Sequence, residues 1–165
     1  MTHYRTARIF AGLALVGALN AATAPSTPAS IDGTYELTRR VMADGSILEP
    51  PSVVALYNMV GGKFNLNLFF KNRDGTIASE SSVGRYKFSN DKYCERITYT
   101  IRNNLDKPGV TNELPEVPDH CMRVTSKNGR FDFSPPGEGV TVSFAPDGFT
   151  ATVADEFVDH WHNVR

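Results

Sequence analysis

The sequence predicts an all-β domain, most simply an antiparallel up-and-down β-barrel of about eight to nine strands. Three observations carry that prediction. From Ile31 onward apolar and polar residues alternate at a period of two, and no helical period runs beyond two turns. Strong turn chemistry recurs at short intervals, at Ala43-Asp44-Gly45-Ser46, Gly61-Gly62, Asn128-Gly129 and Pro146-Asp147-Gly148. The strand order is meander-like, and closing such a sheet removes its exposed edges.

The first strand places Tyr35, Leu37 and Val41 on one face, with Thr34, Glu36, Thr38 and Arg40 opposite. Val53 to Val60 is a second apolar run. Phe64, Leu66, Leu68 and Phe70 alternate with Asn65, Asn67 and Phe69, the clearest strand in the chain. Arg73-Asp74-Gly75 turns the chain, and Gly84 to Phe88 follows. Tyr93 to Arg102 sets Tyr93, Glu95, Ile97, Tyr99 and Ile101 against Cys94, Arg96, Thr98, Thr100 and Arg102. Asn103 to Asp119 carries Pro108, Pro115 and Pro118 without any period, which reads as a long structureless loop suited to covering a binding site. Strands over Cys121–Ser126, Arg130–Ser134, Val140–Phe144, Phe149–Val153 and Phe157–Val164 complete the set. An immunoglobulin-type sandwich is the main rival, but Trp161 lies after both cysteines, so the Cys…Trp…Cys order is absent.

The first thirty residues have a different character. His3, Arg5 and Arg8 precede an apolar stretch from Ile9 to Ala22, and Ala22-Thr23-Ala24 offers a signal-peptidase site. The division is therefore a signal peptide over 1–24, a flexible tether over 25–30 and one domain over 31–165, with periplasmic or secreted localisation. The apolar stretch is about 14 residues, short for a membrane span, and no integral membrane segment is expected in the mature chain. In an exported chain the two cysteines, Cys94 and Cys121, are expected to form a disulfide. A net charge of −1 argues against nucleic acid as a partner, and against anchoring to an anionic membrane by charge alone.

Ile31-Asp32-Gly33-Thr34-Tyr35-Glu36-Leu37 resembles the first strand of bacterial lipocalin-like domains of the calycin superfamily, with Tyr35 where those carry Trp. Phe144-Ala145-Pro146-Asp147-Gly148-Phe149-Thr150 and the ending Trp161-His162-Asn163-Val164-Arg165 are similar to calycin hairpins and last strands. The resemblance implies a barrel holding a small apolar or amphipathic molecule, with a loop over its open end. It also implies that Arg165 packs against Tyr35.

Strand parity then nominates the site. Tyr35, Phe64, Leu66, Leu68, Tyr86, Phe88, Tyr99, Phe144 and Phe149 are expected to line the interior, and aromatic groups with polar tips suit amphipathic ligands. Arg39 and Glu95 fall in phase with them and would pair, or anchor a ligand's polar group, unless a bulge or strand end releases them to solvent. His160 and His162 share a face and, with His120 or Asp155, have a metal-ligand spacing. The bulk of Phe157 and Trp161 points the histidines outward instead, and no metal or cofactor is expected. Asp155, Glu156 and Asp159 read as a solvated acidic cluster. No hydrolase elbow, phosphate loop or dinucleotide fingerprint occurs, so no catalytic residue is nominated. The expected function is an exported protein that binds a small hydrophobic or amphipathic ligand. The rivals are a barrel cyclase or isomerase using Glu95, Arg39 and Tyr99, and a protease inhibitor that inserts Pro25–Ser30.

Overall fold

The computed structural model describes residues 30–164 apart from 73, 106, 116–117 and 136–138. The expected signal peptide, tether positions 25–29 and Arg165 lie outside the described residues.

Alternation at a period of two yields strands throughout. They are β1 (Gly33–Met42), β2 (Ile47–Leu48), β3 (Val53–Val60), β4 (Lys63–Lys71), β5 (Ile77–Phe88), β6 (Lys92–Asn103), β7 (Val110–Glu113), β8 (His120–Arg123), β9 (Thr125–Lys127), β10 (Arg130–Phe133), β11 (Val140–Ala145), β12 (Gly148–Val153) and β13 (Phe157–Asn163). All belong to one antiparallel sheet ordered β7-β6-β5-β4-β3-β1-β13-β12-β11-β10-β9, with β2 also on β1 and β8 also on β6. The count of thirteen exceeds the eight to nine expected because β2, β7, β8 and β9 are pieces of two to four residues. Among the described residues no helix is long and apolar enough to cross a membrane.

The sheet curls round one core, but its hydrogen-bonded ladder does not close: β6 is not paired with β9 or β10. The two ends meet in another way. β8 pairs with β6 and β9 with β10, and only Val124 separates β8 from β9 along the chain. Val124 is buried, and its N–H donates to the Asp91 carbonyl at 2.9 Å. Across the gap Tyr93 stacks on Phe133 with ring centres 4.5 Å apart, and Phe88 meets Phe131 edge-on at 5.2 Å. Rings and chain continuity therefore hold this seam where a ladder is missing.

Part of the stretch Asn103–Asp119 is ordered rather than loop. Val110–Glu113 folds back onto Thr100–Asn103 through a turn in which Asn104 and Gly109 have positive φ. Asn104 N–H donates to the Gly109 carbonyl at 2.9 Å, and Gly109 N–H donates to Asn104 Oδ1 at 2.8 Å. The three prolines flank β7 and remove no ladder donor from it.

Two bulges shift the inward face along a strand. In β1, Leu37 pairs with Trp161 but Arg39 pairs with His160, so Thr38 is an extra residue. Thr38 and Arg39 are both exposed, while Leu37 and Arg40 are buried. In β6, Ile97 pairs with Gly84 and Tyr99 with Val83, so Thr98 is extra and Thr100 becomes the buried residue. Gly84 is required at this bulge: a Cβ there would overlap the Phe64 ring and the Arg96 carbonyl oxygen.

Cys94 and Cys121 face each other in the β6–β8 ladder and are disulfide-bonded across 27 residues of chain. That loop length corresponds to about 3–4 kcal/mol of stabilisation through the unfolded state. Replacing both cysteines by Ala is expected to lower the urea unfolding free energy by about that amount and to raise the slope of the transition. Gly84→Ala is expected to cost about 1–3 kcal/mol through overpacking against the backbone of β6.

Candidate functional site

The inward side chains leave a partly open cavity of about 280 Å³ inside the curl. Its wall is mostly aromatic. Tyr93, Phe133, Phe144, Phe149 and Trp161 form a continuous run of ring contacts, with centres 4.5–5.9 Å apart at each step. Tyr57 extends the run, edge-on to Trp161 at 6.3 Å and to Phe64 at 5.8 Å. Leu66, Leu68, Ile97 and Val142 fill the spaces between rings. The indole N–H of Trp161 is the one buried side-chain polar atom without a hydrogen-bond partner among the described residues.

Ionisable groups interrupt this apolar wall in three places. Arg40 and Asp159 are cross-strand partners in β1 and β13, 9% and 4% exposed, and their bond is bidentate at 2.7 and 2.8 Å. The Arg40 guanidinium also lies 3.7 Å over the Phe157 ring centre. A buried pair of this kind offsets its desolvation only when its hydrogen bonds are made with good geometry, as here. Arg102 sits between two carboxylates, with Glu80 at 3.1 Å and Glu113 at 3.0 Å. Ser82 donates to Glu80 Oε1 at 2.9 Å and shares a hydrogen bond with Thr100. Lastly, Tyr93 donates its hydroxyl to Glu95 Oε2 at 2.6 Å. Burial, then the neighbouring Tyr57 and Glu95, pushes the Tyr93 phenol well above its ordinary value. Burial, then the Glu95 charge, does the same to Tyr57. Both hydroxyls are protonated donors at any physiological pH.

Phe64, Leu66, Leu68, Glu95 and Phe144 all line the cavity. Tyr35 and Tyr86 are buried but lie outside the lining. The Tyr35 hydroxyl donates to the Ile31 carbonyl at 2.8 Å, and the Tyr86 hydroxyl donates to Asp32. Burial, then the Asp32 charge, pushes Tyr35 up to about 12. Both rings are therefore packed where the chain enters β1. Arg39 is a correction: the β1 bulge turns it to solvent, so an Arg39–Glu95 pair does not form, and Arg40 takes the interior position. Tyr99 is a second correction, because the β6 bulge removes it from the lining and brings Arg102 in. Asp159 is a third, being a buried partner of Arg40 and not part of a solvated cluster. No described residue of Asn103–Asp119 lines the cavity. Tyr57 was missed from the sequence, although its phase with Val53, Ala55 and Met59 places it inward.

His160 and His162 lie on the outer wall, alternating with inward Asp159 and Trp161. His120 is on β8 and Asp155 in the β12–β13 turn, and among the described residues no three such groups gather as a metal site. Partial burial, then the adjacent Arg39 charge, holds His160 below its ordinary value. No family model, curated protein or solved structure matches the chain.

Arg40→Ala or Asp159→Ala is expected to destabilise the fold by about 3–5 kcal/mol, by stranding the buried partner. The double replacement Arg40→Met with Asp159→Leu is expected to recover most of that loss in the same urea titration. An NMR titration should show His160 protonating below 6.5, with Arg39→Ala moving it upward. Because folding depresses this value, the associated stability is present above the unfolded value and is lost as pH falls through the native one.

Proposed function

We propose that the chain is an exported small-molecule binding protein. In this reading the curled sheet works as a lipocalin-like barrel whose open seam is closed by side chains. The observation that carries it is the aromatic cavity of about 280 Å³ at the centre of the sheet. That volume is near the lower end for ligand sites, which suits a molecule of one or two fused rings. The Cys94–Cys121 disulfide supports an oxidising, extracytoplasmic compartment.

The charges of the lining narrow the ligand further. Both lining guanidiniums already hold carboxylates, Arg40 with Asp159 and Arg102 with Glu80 and Glu113. Arg39, the expected anchor for an acid, is on the outside. An apolar molecule with a neutral or basic polar group fits this lining better than a fatty acid does.

Tyr93 and Glu95 favour one second reading. A hydroxyl donor bonded to a carboxylate beside an apolar chamber is an acid–base arrangement of the kind a cyclase or isomerase uses. Arg39 and Tyr99 play no part in it.

Trp161 is the only tryptophan in the chain and lines the cavity, so it reports occupancy directly. Titration with N-phenyl-1-naphthylamine is expected to quench Trp161 by energy transfer at a stoichiometry of one. Ala151→Phe, which fills the cavity, is expected to weaken that binding at least about tenfold while leaving the far-UV spectrum unchanged. Absence of transfer, or indifference to the filling substitution, would remove the binding-protein reading.

A further inference from the structure

The outer wall of β4, β5, β6 and β8 concentrates positive charge. Lys63 of β4 pairs directly with Arg85 of β5, and Arg85 with Arg96 of β6, so three cations stand in one row across adjacent strands. Lys92 of β6 pairs directly with Arg123 of β8. Lys87 lies between these rows, opposite Cys94 and beside the disulfide. All six side chains are exposed. Asp119, 2.8 Å from Arg96, is the one acid in an ion pair with any of them among the described residues. Between Arg85, Lys87 and Arg96 runs a shallow groove of about 430 Å³, whose lining also includes the carboxylates of Glu95 and Asp119.

Like charges directly opposite in a ladder weaken the sheet, and this patch contains three such pairs. The whole chain carries a net charge of −1, so the patch is a local segregation of charge hidden by that average. A surface that weakens its own fold is explained when a polyanion neutralises it. The charges spread over neighbouring strands about 4.8 Å apart and along several residues of β6, which makes a broad patch and not a single line. Val60, 63% exposed, pairs with Lys63 at the hairpin tip and adds an apolar group at its margin.

We infer that this wall docks the protein on an anionic phospholipid surface. Breadth favours a bilayer of phosphate headgroups over a single extended polyanion, and juxtaposed Lys and Arg side chains are the groups such a surface attracts. Arg96 is held by Asp119, so Arg85 and Lys87 are the groove cations that would meet a headgroup phosphate, and a guanidinium offers such a group bidentate contact. The inference uses no residue of the apolar cavity's ring wall and stands whether or not that cavity binds a ligand.

Co-sedimentation of the purified protein with lipid vesicles tests it. Vesicles containing about 30% phosphatidylglycerol are expected to bind at least about tenfold more tightly than pure phosphatidylcholine, with binding lost as salt rises. The triple variant Lys63→Gln, Arg85→Gln, Lys87→Gln is expected to lose about tenfold or more of that affinity. Its urea midpoint should rise at the same time, because two of the three like-charge pairs have gone. A control triple with the same charge change elsewhere, Lys71→Gln, Lys107→Gln, Lys127→Gln, should bind as wild type. Equal binding to both vesicle types, an unaffected patch variant, or an equally impaired control would overturn the inference. Capture on heparin without vesicle binding would overturn it too, and would assign the patch to a soluble polyanion.

Discussion

One extra residue in β1 governs the interior. Strict alternation from Tyr35 and Leu37 would carry Arg39 inward and Arg40 out. The bulge at Thr38 reverses that, and Arg40 then stands opposite Asp159 where its fork meets the carboxylate on both oxygens. The bulge at Thr98 acts likewise on β6, exchanging Tyr99 for Thr100 and Arg102. Beyond the bulges Arg40 in β1 and Thr100 and Arg102 in β6 are inward groups that are ion-paired or hydrogen-bonded; before them stand Tyr35, Leu37, Tyr93 and Ile97, with Glu95 as the one carboxylate, bonded by the Tyr93 hydroxyl. The two ion-paired groups, Arg40–Asp159 and Arg102–Glu80, thus lie beyond the points where two strands change phase, while the Tyr93–Glu95 bond lies before the β6 bulge.

The missing ladder at the seam has a consequence for that cavity. A sheet sealed by hydrogen bonds sets the distance between its end strands at the strand spacing. Here β10 is held beside β6 and β5 by ring contacts, Tyr93 of β6 stacked on Phe133 and Phe88 of β5 edge-on to Phe131. Of these rings Tyr93 and Phe133 also form cavity wall, so packing at that part of the seam and the shape of the site are one property. The disulfide lies at the same place, tying β8 to β6 immediately before Val124 crosses to β9. Strength at the seam comes from a covalent bond and ring contacts.

Much of this could be read from residues alone, and the remainder failed for identifiable reasons. Phe64, Leu66 and Leu68 were placed correctly because β4 keeps a period of two without interruption. The cysteine pair was legible from count and context. Arg39 and Tyr99 were misplaced because Thr38 and Thr98 are ordinary strand formers, and nothing local marks either as an extra residue. Tyr35 and Tyr86 were given the right face, but parity says nothing of height along the strand. Both lie where Ile31 and Asp32 supply hydrogen-bond acceptors, away from the cavity. β7 was missed because its prolines flank a short paired segment, which composition alone cannot separate from loop. The basic wall escaped notice because net charge averages over the whole surface.

Adjacent arginines on opposite sides of the β1 bulge provide the most direct test. Native-state labelling with phenylglyoxal, read by fragment mass spectrometry, compares Arg39 with Arg40 in one molecule. Arg39 is expected to react as an exposed guanidinium, and Arg40 at least about tenfold more slowly, limited by opening of the sheet. Arg40 reacting as fast as Arg39, or Arg39 being the protected one, would mean that β1 does not change phase and that Arg40 does not stand inside opposite Asp159.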